Sequence, residues 1–202
     1  MGEQKKAFER HQPSKGAIKR AERRRKLKRK KRALDAIHES CIAYTARRTL
    51  RDCDWAIREL PTGDLNQAPG RQSWFAAVTL LRAVGHVLKN EDAARSVYLR
   101  EAIEVAWEKW KDDFYSSEIF YGFIEDERNT LLKEYRFENE RKIYVEDATR
   151  GGQQLVLIGG KVVAPADALR IAWEWWQAEI GRIERHAADI RQETLHKKNP
   201  RA

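Results

Sequence analysis

The sequence predicts a mainly α protein: a five-helix, bundle-like domain with a small β-hairpin or meander before its last helix and a basic N-terminal extension. Three observations carry this. Apolar residues recur at spacings of three and four through most of residues 33–191, the signature of helices that bury one face. That period breaks at about 142–164, where short β-branched runs alternate with glycine pairs. The charge is also segregated. Residues 1–32 hold 15 Lys/Arg against three acids, net +12, and residues 33–202 are net −3, which together give the formal +9. A chain of 202 residues, 42% hydrophobic and with seven tryptophans, is long enough for one sizeable core.

Taken in order, residues 1–14 are polar, contain Pro13 and read as disordered. Residues 15–32, KGAIKRAERRRKLKRKKR, hold good helix formers, but like charges at i,i+4 oppose an isolated helix. The segment is expected to become helical where phosphates neutralise it or where the next helix extends back into it. The first body helix is predicted over 33–60, stopped by Pro61, with Ile42, Ala46, Thr49, Cys53, Ala56 and Leu60 as its buried stripe. Cys41 and Cys53 would lie twelve residues apart on that helix, beyond disulfide reach. They read as reduced and the compartment as cytoplasmic.

PTGDLNQAPG is a loop by its glycines and prolines. Ser73 is then expected to cap a second helix to about 90, with Trp74, Ala77, Val78, Leu81, Val84 and Leu88 inward. A third helix, 92–113, buries Leu99, Ile103, Ala106, Trp107, Trp110 and Phe114 in this reading; a fourth runs over 116–137. KIYVED, QLVLI and KVVA are the β segments, turned at Gly151-Gly152 and Gly159-Gly160. Pro165 opens the last helix, to about 191, with Leu169, Ala172, Trp173, Trp176, Ile180, Ile183 and Ala187 inward. Trp175 falls off that stripe and is expected as a dimer contact or exposed patch.

Function is sought first in ERNTLLKEY, residues 127–135. Phe120, Ile124, Leu131 and Tyr135 share a helix face, and Arg128 lies on its edge, where a charge needs a partner. A structural pairing with Glu127, Glu134 or a carboxylate of a neighbouring helix competes with a functional site. The Arg128-Asn129 pair, the flanking helices and the aromatic content resemble the HEPN superfamily, over roughly residues 34–190. These all-helical proteins include many metal-independent ribonucleases, whose motif is an arginine and a polar residue followed by a histidine. The resemblance implies a cleft at a homodimer interface, with Arg128 and Asn129 at the scissile phosphate. Lys133 stands where the histidine should be, and it and Arg128 point about 140° apart on a straight helix. An ordinary lysine keeps its proton at neutral pH, with a pKa near ~10.4, whereas histidine exchanges it. The sequence therefore predicts a degenerate or weak metal-independent endoribonuclease site at Arg128, Asn129 and Lys133, leaning away from an enzyme.

The extension supplies the second site. Nine of the ten residues 23–32 are cations, so Arg23, Arg24, Arg25, Lys26, Lys28, Arg29, Lys30, Lys31 and Arg32, with Lys19 and Arg20, are expected to contact phosphates. No aromatic interleaves them, so they bring affinity without base stacking. His11, His38, His86, His186 and His196 show no ligand spacing, so no metal or cofactor is expected. His86 is the one candidate to replace the motif histidine from another helix. GGQQ and IGGK lack the residues of a P-loop and read as turns. No apolar run suffices to cross a bilayer, and the basic run lacks the large hydrophobics of an interfacial helix.

The resulting expectation is a HEPN-like nucleic-acid-binding protein, RNA favoured over DNA because the resembling family acts mainly on RNA. The alternative is a non-catalytic assembly protein, whose body binds a protein partner while its tail docks on nucleic acid.

Overall fold

The computed structural model describes residues 19, 22–29, 40–60, 65, 68–134, 142–145 and 153–198. The chain divides into two units, Met1–His38 and Glu39–Ala202. In the first, residues 22–29 are helical. Residues 20, 30, 31 and 32 of the basic run, His11 and His38, and Gly151-Gly152 lie outside the described residues.

The second unit begins with helix α1 (Tyr44–Arg58), and its start is set by acceptors from elsewhere in the fold. The side chain of its N-cap residue, Ala43, makes no capping bond. Instead Glu184 Oε1 accepts the Ala43 N–H at 3.0 Å, and the two oxygens of Asp92 accept those of Thr45 and Ala46 at 3.0 and 2.8 Å. The predicted helix over 33–60 is thus corrected: residues 40–43 are not helical, and 33–39 lie outside the described residues. Ile42 precedes the first turn and is exposed, so it is no part of the buried stripe. Ala46, Leu50, Cys53, Ala56 and Ile57 form that stripe.

Helix α2 (Ala68–Val87) starts five residues before Ser73, which is therefore not its cap; the Ser73 hydroxyl donates to the Glu59 carbonyl at 3.3 Å. Pro69 at the opening turn suits a position where no N–H is needed. The rod continues through a π segment (Leu88–Asp92) and α3 (Ala93–Arg95), and then breaks at Ser96. Ser96 caps α4 (Val97–Asp112), its hydroxyl accepting the Leu99 N–H at 3.3 Å. The third helix thus begins at Val97 rather than at Asp92, which ends the preceding rod.

Asp113 caps the next rod by accepting the Ser116 N–H at 2.8 Å. That rod runs through α5 (Phe114–Ser117), a second π segment (Glu118–Glu125) and α6 (Asp126–Glu134). Phe114, predicted to be buried, is 75% exposed: it leads the new helix after the Asp113 break instead of completing the face of α4. Strands β1 (Lys142–Val145), β2 (Gln153–Ile158) and β3 (Lys161–Val163) form an antiparallel sheet in that order, as the change of period predicts. Ile158 pairs with Lys161 across Gly159-Gly160, whose φ of 54° and 75° need residues without a Cβ penalty. Pro165 then opens α7 (Pro165–Lys198), seven residues longer than predicted.

The fold is mainly α, and the described residues of the second unit form five helical rods with the small sheet before the last. α1 packs on α2 and α7, and α4 packs on α7. The centre is aromatic: Trp110, Phe120, Trp175 and Trp176 meet at centroid distances of 4.8–6.0 Å. Gly85 of α2 admits this cluster, because a Cβ there would stand 3.1 Å from the Trp176 ring and 3.2 Å from Phe120. Trp175 corrects the expectation of an exposed patch. It is only 6% exposed, and its indole N–H reaches the Ser116 hydroxyl at 3.4 Å. Both neighbouring rods pack against α7, so its buried arc is wider than one stripe.

Cys41 lies ahead of α1 and Cys53 within it, and neither is in a disulfide. Burial, with a smaller push from Asp54, raises the Cys53 thiol from 9.0 to about 12. A raised thiol pKa means the native state holds its proton. The contribution to stability is whole below pH 9.0 and is lost as pH climbs toward about 12. At pH 8 iodoacetamide should spare Cys53 in the native protein and modify it only after denaturant is added, as peptide mass spectrometry would record. Rapid native labelling of Cys53 would contradict this burial.

Candidate nucleic-acid interface

The helical segment 22–29, ERRRKLKR, is exposed along its whole length. Arg23, Arg24, Arg25, Lys26, Lys28 and Arg29 are six cations in eight residues, with Lys19 also exposed before them. Leu27, the one apolar member, is exposed too. A helix with cations on all sides has no face to bury. Its repulsion falls only when counterions or a polyanion neutralise it.

Arg128, Asn129 and Lys133 all lie on α6. Phe120, Ile124 and Leu131 are buried as predicted, and Arg128 is half-buried beside them. The arginine is steadied by its neighbour: Nη1 donates to Asn129 Oδ1 at 2.8 Å. Glu127, a proposed partner, is turned away into the core, where its Oε1 accepts the Trp74 indole N–H at 2.9 Å. Asn129 sits inside a continuous helix rather than at its start, so nothing bends Lys133 toward Arg128. Lys133 is exposed. An arginine and an amide at this spot can hold a phosphate oxygen, but among the described residues no histidine lies on α6 beside them.

His86 does not fill that gap. Helix α2 and the rod that ends in α6 run antiparallel, since Trp74 meets Glu127 while Gly85 meets Phe120 of the π segment before α6. His86 therefore sits near the level of Phe120, and Arg128 lies eight residues further along, roughly 12 Å away along the axis. Asn90 Nδ2 stands 3.2 Å from His86 Nδ1 and donates to the His86 carbonyl at 2.9 Å.

His86 instead borders a small cavity of about 140 Å³ between the two π segments, a feature with no signature in the apolar periodicity. Its charges are already engaged. Arg82 Nη2 donates to Glu125 Oε1 at 3.2 Å, and Lys89 Nζ lies 5.7 Å from the centre of the Trp107 ring. Burial pushes the Tyr121 phenol above its ordinary value. The cavity holds no activated nucleophile, and its formal charge is one cation in excess, Arg82 and Lys89 against Glu125. Among the described residues no group of His, Cys, Asp and Glu is arranged to bind a metal, and no helix is long and apolar enough to cross a membrane.

Set beside known proteins, the chain matches no protein-family model, no curated sequence and no solved structure. Function is therefore argued from the side chains themselves.

Proposed function

We propose that this protein binds RNA and holds it without cutting it efficiently. Residues 22–29 are the electrostatic anchor, and Arg128 with Asn129 is the phosphate-holding half of a HEPN-like site. The observation that carries the reading is the fully exposed helix of six cations in eight residues, which buries nothing and holds a single acid, Glu22, within its own eight residues. Each phosphate it contacts releases counterions, so affinity should fall steeply with salt. The placing of Lys133 on the exposed surface, away from Arg128, favours binding over turnover. A homodimer and a cytoplasmic location belong to the same proposal, and Arg128, Asn129 and Lys133 are in it the remnant of a metal-independent endoribonuclease site.

The test is RNA binding by the full chain across a range of salt. Changing Arg23, Arg24, Arg25, Lys26, Lys28 and Arg29 to Gln should flatten the slope of log affinity against log salt by about 4. Affinity at low salt should fall more than a hundredfold. Identical binding by the two proteins, or no RNA binding by either, would sink the reading. On mixed RNA without metal, cleavage by the wild type should not exceed that of Arg128→Ala; a clear excess would make the site a working nuclease.

A further inference from the structure

The outer face of α1 carries a pattern that the buried stripe conceals in the sequence. Tyr44, Arg48, Arg51, Trp55 and Arg58 are all exposed, and at 100° per residue they fall within an arc of about 80°. Tyr44 is 60% and Trp55 68% exposed. The contrast with the other tryptophans is direct. Trp74, Trp110, Trp173, Trp175 and Trp176 each donate the indole N–H to an acceptor within the fold, and Trp107 is half-buried under Lys89. Among the described residues Trp55 packs against no other aromatic ring, and it lies outside the core.

We propose that this face is a docking stripe for single-stranded RNA, with Tyr44 and Trp55 stacking on bases while Arg48 and Arg51 hold phosphates. The inference rests on the RNA-binding reading above and extends it from the basic segment to the helical body. The two rings lie about 16 Å apart along the axis, with the two arginines between them. Neither Arg48 nor Arg51 is in an ion pair among the described residues, while Arg58 is held to Asp54 at 2.6 Å. Glu59 and Asp52 border the arc on one side, and Asp54 at its other edge is occupied by Arg58 and by Arg170, the latter at 2.8 Å. The arc thus keeps two unpaired guanidinium groups.

Charge complementarity selects the occupant. The arc holds only rings and guanidinium groups, so an apolar protein partner could cover Tyr44 and Trp55 only by burying two charges that it cannot pair. In duplex RNA the base faces are hidden in the stack, so rings at this spacing need unpaired bases. The stripe is also rigid. Asp92 and Glu184 fix the start of α1, Arg47 Nε donates to Glu184 at 2.8 Å, and Asp54 ties α1 to Arg170 of α7. A pre-ordered surface loses little freedom on binding.

The experiment measures fluorescence anisotropy of a labelled uridine oligomer, and of a duplex RNA of equal length, with the full chain. Trp55→Ala should weaken oligomer binding about tenfold, the effect of one lost stacked base, with the salt slope unchanged. Trp55→Phe should recover most of that loss, and duplex binding should stay within twofold. Arg48→Gln with Arg51→Gln should flatten the salt slope by about 1.4. The variants replace exposed side chains, and unchanged melting curves would confirm that they fold. If all three bind the oligomer within twofold of the wild type while the six-Gln variant fails to bind, the stripe is refuted and the RNA reading stands. If the wild type binds no RNA, both fall. Competition by polyglutamate as strong as that by the oligomer, with Trp55→Phe no better than Trp55→Ala, would assign the stripe to an acidic protein and overturn the proposal.

Discussion

Replacing Trp176 by alanine is expected to cost the helical body about 3–5 kcal/mol, the range for removing a fully buried tryptophan. Trp176 is 0% exposed and touches Trp110, Phe120 and Trp175 at centroid distances of 5.5, 5.7 and 4.8 Å. Its indole N–H donates to the Leu81 carbonyl at 2.9 Å, joining α7 to α2. The loss combines transfer of a large apolar surface, the cavity left among rings too rigid to collapse, and edge-to-face pairings worth about 0.5–1.5 kcal/mol each. A domain of this kind is stable by only about 5–15 kcal/mol, so one substitution removes a large share. Guanidinium unfolding followed by circular dichroism would measure it, with Trp55→Ala as the exposed control. A loss below about 1 kcal/mol would show that the aromatic centre is looser than these contacts imply.

Trp176 was legible in the sequence, and the reason is geometric. Leu169, Ala172, Trp176, Ile180, Ile183 and Ala187 all follow one helical period, and all are buried. Trp175 was not, because a period assigns one face, whereas α7 buries a wider arc against α1, α2 and α4. Phe114 failed for a related reason. Its spacing continues the face of α4, but Asp113 caps a new helix and turns the chain outward. The β segments and their glycine turn were readable because Gly159-Gly160 offers the backbone conformation a two-residue hairpin requires.

Residues 127–135 were half legible. The burial of Leu131 and the half-burial of Arg128 follow from the period, as does the exposure of Lys133. The partner of Arg128 does not follow from it. Glu127 is drawn off by Trp74, a residue fifty-three positions away, and local pattern cannot register such a contact. The stripe on α1 was missed for the opposite reason. Its residues are regular, but attention to the apolar face leaves the polar face unread, and only exposure distinguishes Trp55 from the six more enclosed tryptophans.

Asp92→Ala is expected to cost about 2–4 kcal/mol, from one buried and one part-buried charge-assisted hydrogen bond lost at once. The carboxylate is 1% exposed and accepts the N–H groups of Thr45 and Ala46, forty-seven and forty-six residues earlier in the chain. Those donors belong to the first turn of α1, where no acceptor within the helix exists and the helix dipole favours a negative charge. Alanine leaves the buried Ala46 amide and the part-buried Thr45 amide without that acceptor. Asparagine keeps one oxygen and loses the charge, so Asp92→Asn should fall about midway. Glu184 still holds the Ala43 N–H and Arg47 in either variant, so the damage should be confined to the first turn. Amide hydrogen exchange should then speed up at Thr45 and Ala46 more than at Cys53 or Ala56. Because Tyr44 and Arg48 ride on that turn, Asp92→Asn should also weaken binding of the uridine oligomer several-fold although Asp92 is buried away from it. Unchanged exchange at Thr45 and Ala46 would mean that Asp92 does not cap α1; faster exchange with undiminished binding would place the RNA contacts of α1 beyond its first turn, around Arg51 and Trp55.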